Sequence, residues 1–283
     1  MPKLSIITVN LNNREGLRKT AESVVSQTYK DYEWIVIDGG STDGSVEIIK
    51  DYVNKAESKD IHCYWVSESD KGIYNAMNKG IKVAKGEYCL FLNSGDIFVN
   101  NIILIDFLKN DFSEDVVYGD YLADYGTYQT VCQSPHYVTL KTFIEGTIHH
   151  TGNSFIHRDA FEKWGYYDES FRIVSDWKWF LETIGFGTAS TRYIDMVISV
   201  FDCYSEKSYV NIGGEERERI LRSLIPPRVL QDYKNYSQLE IEKYQQELKI
   251  RSSKAYKLGN MLLSPIKRIK KVFENIFRIF CVL

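Results

Sequence analysis

The feature that most restricts the fold of this chain is an alternation. Over the first hundred residues, short apolar runs of strand length trade places with stretches of helical periodicity. Residues 4–9, 34–37, 61–66 and 88–92 read as strands, and residues 15–27, 45–53 and 73–84 as helices. This is βαβ repetition, which builds a largely parallel sheet wrapped by helices. Ligands of such sheets sit beyond the carboxyl ends of the strands, where the loops converge. The polar residues that end strands are therefore the ones to weigh.

Beyond residue 110 the pattern becomes irregular. Strands are expected at 116–121, 152–157 and 191–201, with helices at 159–164 and 175–183. After Gly213 and Gly214 the chain turns helical and charged through Lys249. There is no internal repeat and no low-complexity segment.

Four strand ends are rich in polar side chains. The first carries Thr8, Asn10, Asn12 and Asn13; the second DGGSTDG (38–44); the third SESDKG (67–72); the fourth NSGD (93–96). In DGGSTDG, the glycines permit a tight turn, Ser41 and Asp43 suit a helix cap, and Asp38 ends a buried strand. A carboxylate there can accept from a nucleobase imide, and the segment is equally sound as a capped turn. It lacks GxGxxG, so a dinucleotide fold is poorly supported. In NSGD, Asp96 and Asn93 put oxygens at a strand end, where hard cations bind through one or two carboxylates and substrate phosphates. NSGD is also good turn chemistry.

Taken in order, SIITVNLNN, QTY (27–29), VIDGGSTDGS and SDKGIYNAMNKGIKVAKGEYCLFLNSGD closely resemble the nucleotide-binding half of family 2 glycosyltransferases, whose fold is termed GT-A. The resemblance is dense over residues 3–100 and looser to about residue 200. It implies an α/β GT-A catalytic domain at 1–212, with a nucleotide-binding half at 1–100 and an acceptor half at 101–212. A helical C-terminal extension fills 213–283. It further implies that Thr8 and Asn10 line the nucleotide pocket, that Asp38 contacts uracil, and that Asp70 and Lys71 touch the nucleotide. Asn78 matches the family's recurrent Asn before GI, and Asp96 resembles the metal-binding Asp of the DxD motif. Many relatives read DSDD where this chain reads NSGD, which leaves one carboxylate for a divalent cation, Mg2+ or Mn2+. The neutral Asn93 still offers an oxygen beside the donor.

SFRIVSDWKWFLE (170–182) resembles the family segment in which an Asp opens the helix beside the acceptor site, and Asp176 matches it. Inverting transfer needs a base to take the proton from an acceptor hydroxyl, and Asp176 is the candidate; its other reading is a helix cap. Trp177 and Trp179 suit core packing better than sugar stacking. His149 and His150 rank below Asp176, because adjacent histidines lack the helical spacing of a zinc site. Arg158 most simply pairs with Asp159 or Glu162.

The net charge of −3 conceals an asymmetry. Residues 249–283 carry nine basic residues and one acid, so the remainder carries −11. From Pro265, Ile266, Ile269, Phe273, Ile276, Phe277 and Phe280 recur at helical spacing with Lys and Arg between them, the pattern of an interfacial helix on an anionic membrane. A second copy of the chain, as a homodimer, is an alternative cover for that face. No apolar run reaches 18 residues, and the N-terminus lacks signal-peptide regions, so the expected location is cytoplasmic, peripheral on the inner face of the membrane. Five scattered cysteines indicate reduced thiols. The acidic body argues against nucleic acid.

The combined expectation is an inverting, metal-dependent glycosyltransferase. It would move a sugar from a nucleotide-diphospho-sugar, UDP-linked, to a glycan or lipid-linked acceptor in cell-surface polysaccharide synthesis. A sugar-phosphate nucleotidyltransferase would want a Gly-rich basic loop after the first strand, and NLNNREG offers one Arg. A membrane-tethered assembly protein with a decayed site is the non-enzymatic alternative, motivated by NSGD.

Overall fold

The computed structural model describes residues 2–146, 151–203, 210–254, 256–258 and 261. His149, His150 and the amphipathic pattern from Pro265 lie outside them. The first half follows the alternation closely: β1 (Leu4–Asn10), α1 (Arg14–Val25), β2 (Glu33–Asp38), α2 (Ser45–Glu57), β3 (His62–Ser67), α3 (Ile73–Val83) and β4 (Tyr88–Phe91). There follow β5 (Ile97–Phe98), α4 (Ile103–Leu108), β6 (Val116–Asp124), β7 (Gln129–Cys132), α5 (Leu140–Glu145), β8 (Ser154–His157) and α6 (Arg158–Trp164). Then come α7 (Ser175–Phe180), a wide turn at Leu181–Gly185, β9 (Thr191–Asp202), α8 (Val210–Leu224) and α9 (Pro227–Ser252).

The sheet runs in the order β3-β2-β1-β4-β8-β6-β9-β5, with β7 paired to β6. The pairs β1·β2, β2·β3 and β1·β4 are parallel, as is β6·β9; β8 runs antiparallel to both β4 and β6. Every residue of β1, β2 and β4 is buried, because helices cover both faces. At the edge, β3 exposes alternate residues. The core gathers Leu4, Ile6, Trp34, Val36 and Leu90 with Phe107 and Phe155, whose rings stack at 3.7 Å. Each such side chain contributes roughly 1.5–3 kcal/mol on burial.

The chain steps outward from β1 to β3 and returns to place β4 on the other side of β1. That reversal is a topological switch point, and the crevice between the β1 and β4 loops is where α/β sheets take ligands. At the opposite end of the strands, Glu33 accepts from Ser5 Oγ at 2.6 Å and from Gly86 N at 3.0 Å. A Cβ on Gly86 would lie 2.5 Å from the Ser5 amide nitrogen, so only glycine fits that close approach.

Two departures from the sequence reading have local causes. The final helical region opens before Gly213 and Gly214, which lie inside α8; Gly213 packs there on Ile173 and Val174. The helix expected at 175–183 leaves α-geometry after Phe180 and widens through Leu181–Gly185. The described chain forms two compact units, Met1–Leu221 and Arg222–Leu283. In the second, α9 buries none of its side chains and exposes Leu239, Ile241, Tyr244 and Leu248. No helix among the described residues is long and apolar enough to cross a membrane. Cys63, Cys89 and Cys132 are free thiols, and burial pushes that of Cys89 up to about 12.

Candidate active site

Asn10 and Asp38 are register partners at the carboxyl ends of β1 and β2. The Asp38 carboxylate has no exposed surface and accepts four hydrogen bonds: from Asn10 Nδ2 at 2.7 Å, Ser41 Oγ at 2.6 Å, Ser41 N at 2.9 Å and Ser67 Oγ at 2.6 Å. Burial pushes its pKa up, but the donors from Ser41, Ser67 and Asn10 outweigh burial and hold it below the ordinary carboxylate value. Asp38 therefore stays ionised and draws the loops after β1, β2 and β3 together. The partner that sequence reasoning missed is Ser67, whose strand-end position was its only signal. Asn10 Oδ1 is buried and accepts nothing. Such an acceptor suits an N–H donor.

The β3 loop closes on the same point. A Cβ on Gly39 would lie 2.6 Å from Asp70 Oδ2, so glycine lets Asp70 approach the β2 loop. Asp70 Oδ1 accepts from Gly72 N at 2.9 Å and shapes the entry to α3, while Lys71 is exposed at the rim. Two expected residues stand elsewhere. Thr8 is wholly buried, and its hydroxyl accepts from Trp34 Nε1 at 3.1 Å, so the structure does not bring it to the crevice. Thr8 shares its face of β1 with Asn10, but it stands two residues short of the strand's carboxyl end, under the helices that cover the sheet. Asn78 is spent on the loop before α7: it donates to Tyr167 O and Glu169 Oε1, each at 2.9 Å, and accepts from Tyr167 N at 3.1 Å.

The β4 loop is tied to β1 and α1. Asn13 caps α1 by accepting from Gly16 N and donates to Ser94 O at 2.9 Å. Thr20 on α1 donates to Asp96 O at 2.7 Å and accepts from Gly95 N at 3.0 Å. These bonds fix the NSGD turn at the switch point. Asp96 is buried beside it, and Asn93 Oδ1 is a buried acceptor with no hydrogen bond. A third oxygen source went unnoticed in the sequence: Asp202, at the end of β9, whose Oδ2 is 3.9 Å from where a Gly95 Cβ would stand. No group of three or more His, Cys, Asp or Glu able to hold a metal occurs among the described residues. An orphaned amide oxygen with two nearby carboxylate side chains fits a hard cation that takes the rest of its oxygens from a diphosphate.

Asp176 opens α7 and is part-exposed. Its Oδ1 accepts from the Tyr74 hydroxyl at 2.9 Å and from Trp177 N at 2.8 Å. Burial raises its pKa above the ordinary value, against the opposing effects of the Trp177 amide, Tyr74 and Arg217. A carboxylate raised in this way is a better proton acceptor near neutral pH. Trp177 and Trp179 are buried and donate to Gly146 O and Gly165 O, so both are core residues. Arg158 pairs with Asp159 at 3.8 Å. The segment entering α7 is anchored by Lys178, which bonds Asp168 at 2.9 Å.

Solved structures with this architecture are transferases. Over 77% of the chain it superposes on "S. aureus TarS 1-349 in complex with UDP", with a TM-score of 0.60, 20% identity and 64% of that structure covered. A mannosyltransferase from Pyrobaculum calidifontis in complex with GDP-Man and Mn2+ matches over 73% of the chain and 58% of its own length, with a TM-score of 0.56 and 16% identity. Full-length TarS is matched over 43% of its length, so the chain spans about half of these solved relatives. The fold is that of GT-A transferases. The sequence profile described as "Glycosyl transferase family 2" matches residues 5–165, more than half of the chain, and the protein belongs to that family. Among curated relatives, a "PGL/p-HBAD biosynthesis glycosyltransferase" of Mycobacterium tuberculosis is 27% identical over 77% of this chain and 84% of its own. An uncharacterized glycosyltransferase of the same species is 44% identical over 34% of the chain and 35% of its own length.

Proposed function

We propose that this protein transfers a sugar from a UDP-sugar to a glycan or lipid-linked acceptor, with inversion at the anomeric carbon, in the synthesis of a cell-surface polysaccharide. The observation that carries this reading is the Asp176 carboxylate, raised in pKa by burial and held by a hydroxyl from the helix that follows the third strand-end loop. The UDP complex of a solved relative supports the choice of nucleotide.

Asp38, Asn10, Asp70 and Lys71 would form the nucleotide pocket, with Asp38 organising its loops as well as facing the uracil. The cation, Mg2+ or Mn2+, would be held by Asp96 with Asn93 and Asp202 nearby, and when bound it neutralises charge developing on the departing diphosphate. Asp176 takes the proton of the acceptor hydroxyl as that oxygen bonds to the anomeric carbon. The bond from that carbon to the diphosphate breaks, and UDP leaves with the electron pair. The family 2 core would occupy residues 1–212, with the basic end of 213–283 resting on the inner face of an anionic membrane.

Release of UDP from a panel of UDP-sugars, measured with manganese present and then with a chelator, tests the donor and the metal together. Turnover with at least one sugar, lost on chelation, is expected. Binding of GDP in preference to UDP would overturn the nucleotide, and full turnover with the chelator would overturn the metal. Release from anionic vesicles on truncation after residue 248 tests the membrane contact, and unchanged binding would refute it.

A further inference from the structure

We propose that Tyr74 and Arg217 are positioning residues that hold the Asp176 carboxylate in one orientation, so that the catalytic unit requires α8 as well as the family 2 core. The inference rests on the reading of Asp176 as the base.

Three segments distant in sequence meet at this carboxylate. From α3, Tyr74 is 4% exposed, and its single hydroxyl hydrogen is shared between Asp176 Oδ1, at 2.9 Å, and Ile173 O. From the chain itself, Trp177 N reaches the same Oδ1 at 2.8 Å. Both donors address one oxygen, Oδ1. From α8, the Arg217 guanidinium lies over the Trp177 ring at 4.8 Å and donates to Gly146 O at 2.7 Å. Arg217 is thus fixed by two contacts beside the helix turn that carries Asp176. On the same helix, Glu216 accepts from the amides of Arg172 and Ile173, at 2.8 and 3.0 Å, and clamps the segment that leads into α7.

The electrostatics agree with this geometry. Among the described residues, the titratable groups facing Asp176 are Tyr74 on α3, Tyr167 on the loop before α7 and Arg217 on α8. Burial raises the pKa of Asp176, and Tyr74 and Arg217 are among the groups that pull it back. The pair therefore keeps a part-buried base ionised without making it as weak as a surface carboxylate. Both residues lie outside what a strand-end search can find, and Arg217 lies beyond the residues 5–165 that match the family profile.

The test is a titration of the intact chain labelled with 13C at aspartate carboxyl carbons, the Asp176 resonance being the one lost in Asp176→Asn. Tyr74→Phe removes a single oxygen, and Arg217→Gln a single charge. Each should raise the Asp176 midpoint by about one pH unit. The acid limb of UDP-sugar turnover should move by the same amount. Arg217→Lys keeps the charge and should leave the midpoint near that of the parent while lowering kcat through lost orientation. An unmoved midpoint in both Tyr74→Phe and Arg217→Gln would overturn the inference; should Tyr74→Phe fail to fold, the Gln and Lys variants decide it. Failure of the base reading looks different: Asp176→Asn would then turn over UDP-sugar at the parental rate even though the midpoints shift in the other variants.

Discussion

Tyr74 and Asp176 stand 102 positions apart in the chain, and a hydrogen bond of 2.9 Å joins them. One belongs to the helix that leaves the third strand-end loop, the other to the first turn of a short helix in the second half. The bond links the helix after β3 to the carboxylate proposed to take the proton.

Asp176→Asn keeps the shape of the side chain and removes its basicity. Transfer should fall by about 10²–10⁴-fold, the usual share of a general base, while the affinity for UDP stays within about twofold. Kinetics and calorimetry on one preparation check both, and substantial residual transfer would sink the assignment.

The pKa of Asp176 lies above the ordinary value because of burial. A base must be deprotonated, so kcat should be full above that pKa and decline as pH falls through it. The decline should begin at a higher pH than a surface aspartate would give. A pH profile of kcat that stays flat down to pH about 4 contradicts this.

Asp38→Ala strands donors from Asn10, Ser41 and Ser67. Each buried donor left unpaired costs about 1–3 kcal/mol. Affinity for UDP should fall at least about tenfold, with a lower Tm; unchanged affinity would place the nucleotide elsewhere.

Asp96→Ala should reduce manganese binding measured by electron paramagnetic resonance in the presence of UDP, and should make UDP affinity insensitive to a chelator. Asn93→Ala should do the same more weakly, since the ion loses a neutral oxygen instead of a carboxylate. Parental manganese binding in Asp96→Ala would move the cation to another set of ligands.

Gly86→Ala probes the far end of the sheet. Its new Cβ would meet the Ser5 amide nitrogen at 2.5 Å, a clash with backbone that cannot rotate away. A loss of about 1–3 kcal/mol is expected by denaturant melt, with UDP affinity unchanged in the folded fraction. Acid adds a second stability effect. The donors from Ser170 and Lys178 outweigh burial and hold the Asp168 carboxyl at about 2, so its contribution is complete above the ordinary value of 3.8 and is lost as pH falls through about 2.

The strand-end signals were legible because they are local. Asp38 and Asp96 stand at the ends of apolar runs that read as buried strands, Asp70 follows the edge strand β3, and the parallel arrangement puts all such ends on one side. Thr8 lies on the same face of β1 as Asn10, but two residues short of the strand's end, where its hydroxyl is taken by Trp34. Asn78 shows the same limit: its helical position was evident, but its bonds to Tyr167 and Glu169 were not.

The sequence by itself determined the class of fold, the strand ends proposed to carry the site, and the family, because periodicity and ordered motifs are properties of short segments. Only the tertiary structure decided who surrounds Asp176. Tyr74, Arg217, Glu216 and Gly146 reach its helix turn from three separate parts of the chain, and long-range packing alone sets such distances. The same holds for Asp202 beside the NSGD turn, brought there by the antiparallel pairing of β9 with β5, which sets Ile97 opposite Val200 and for which no residue pattern in either strand is a signal.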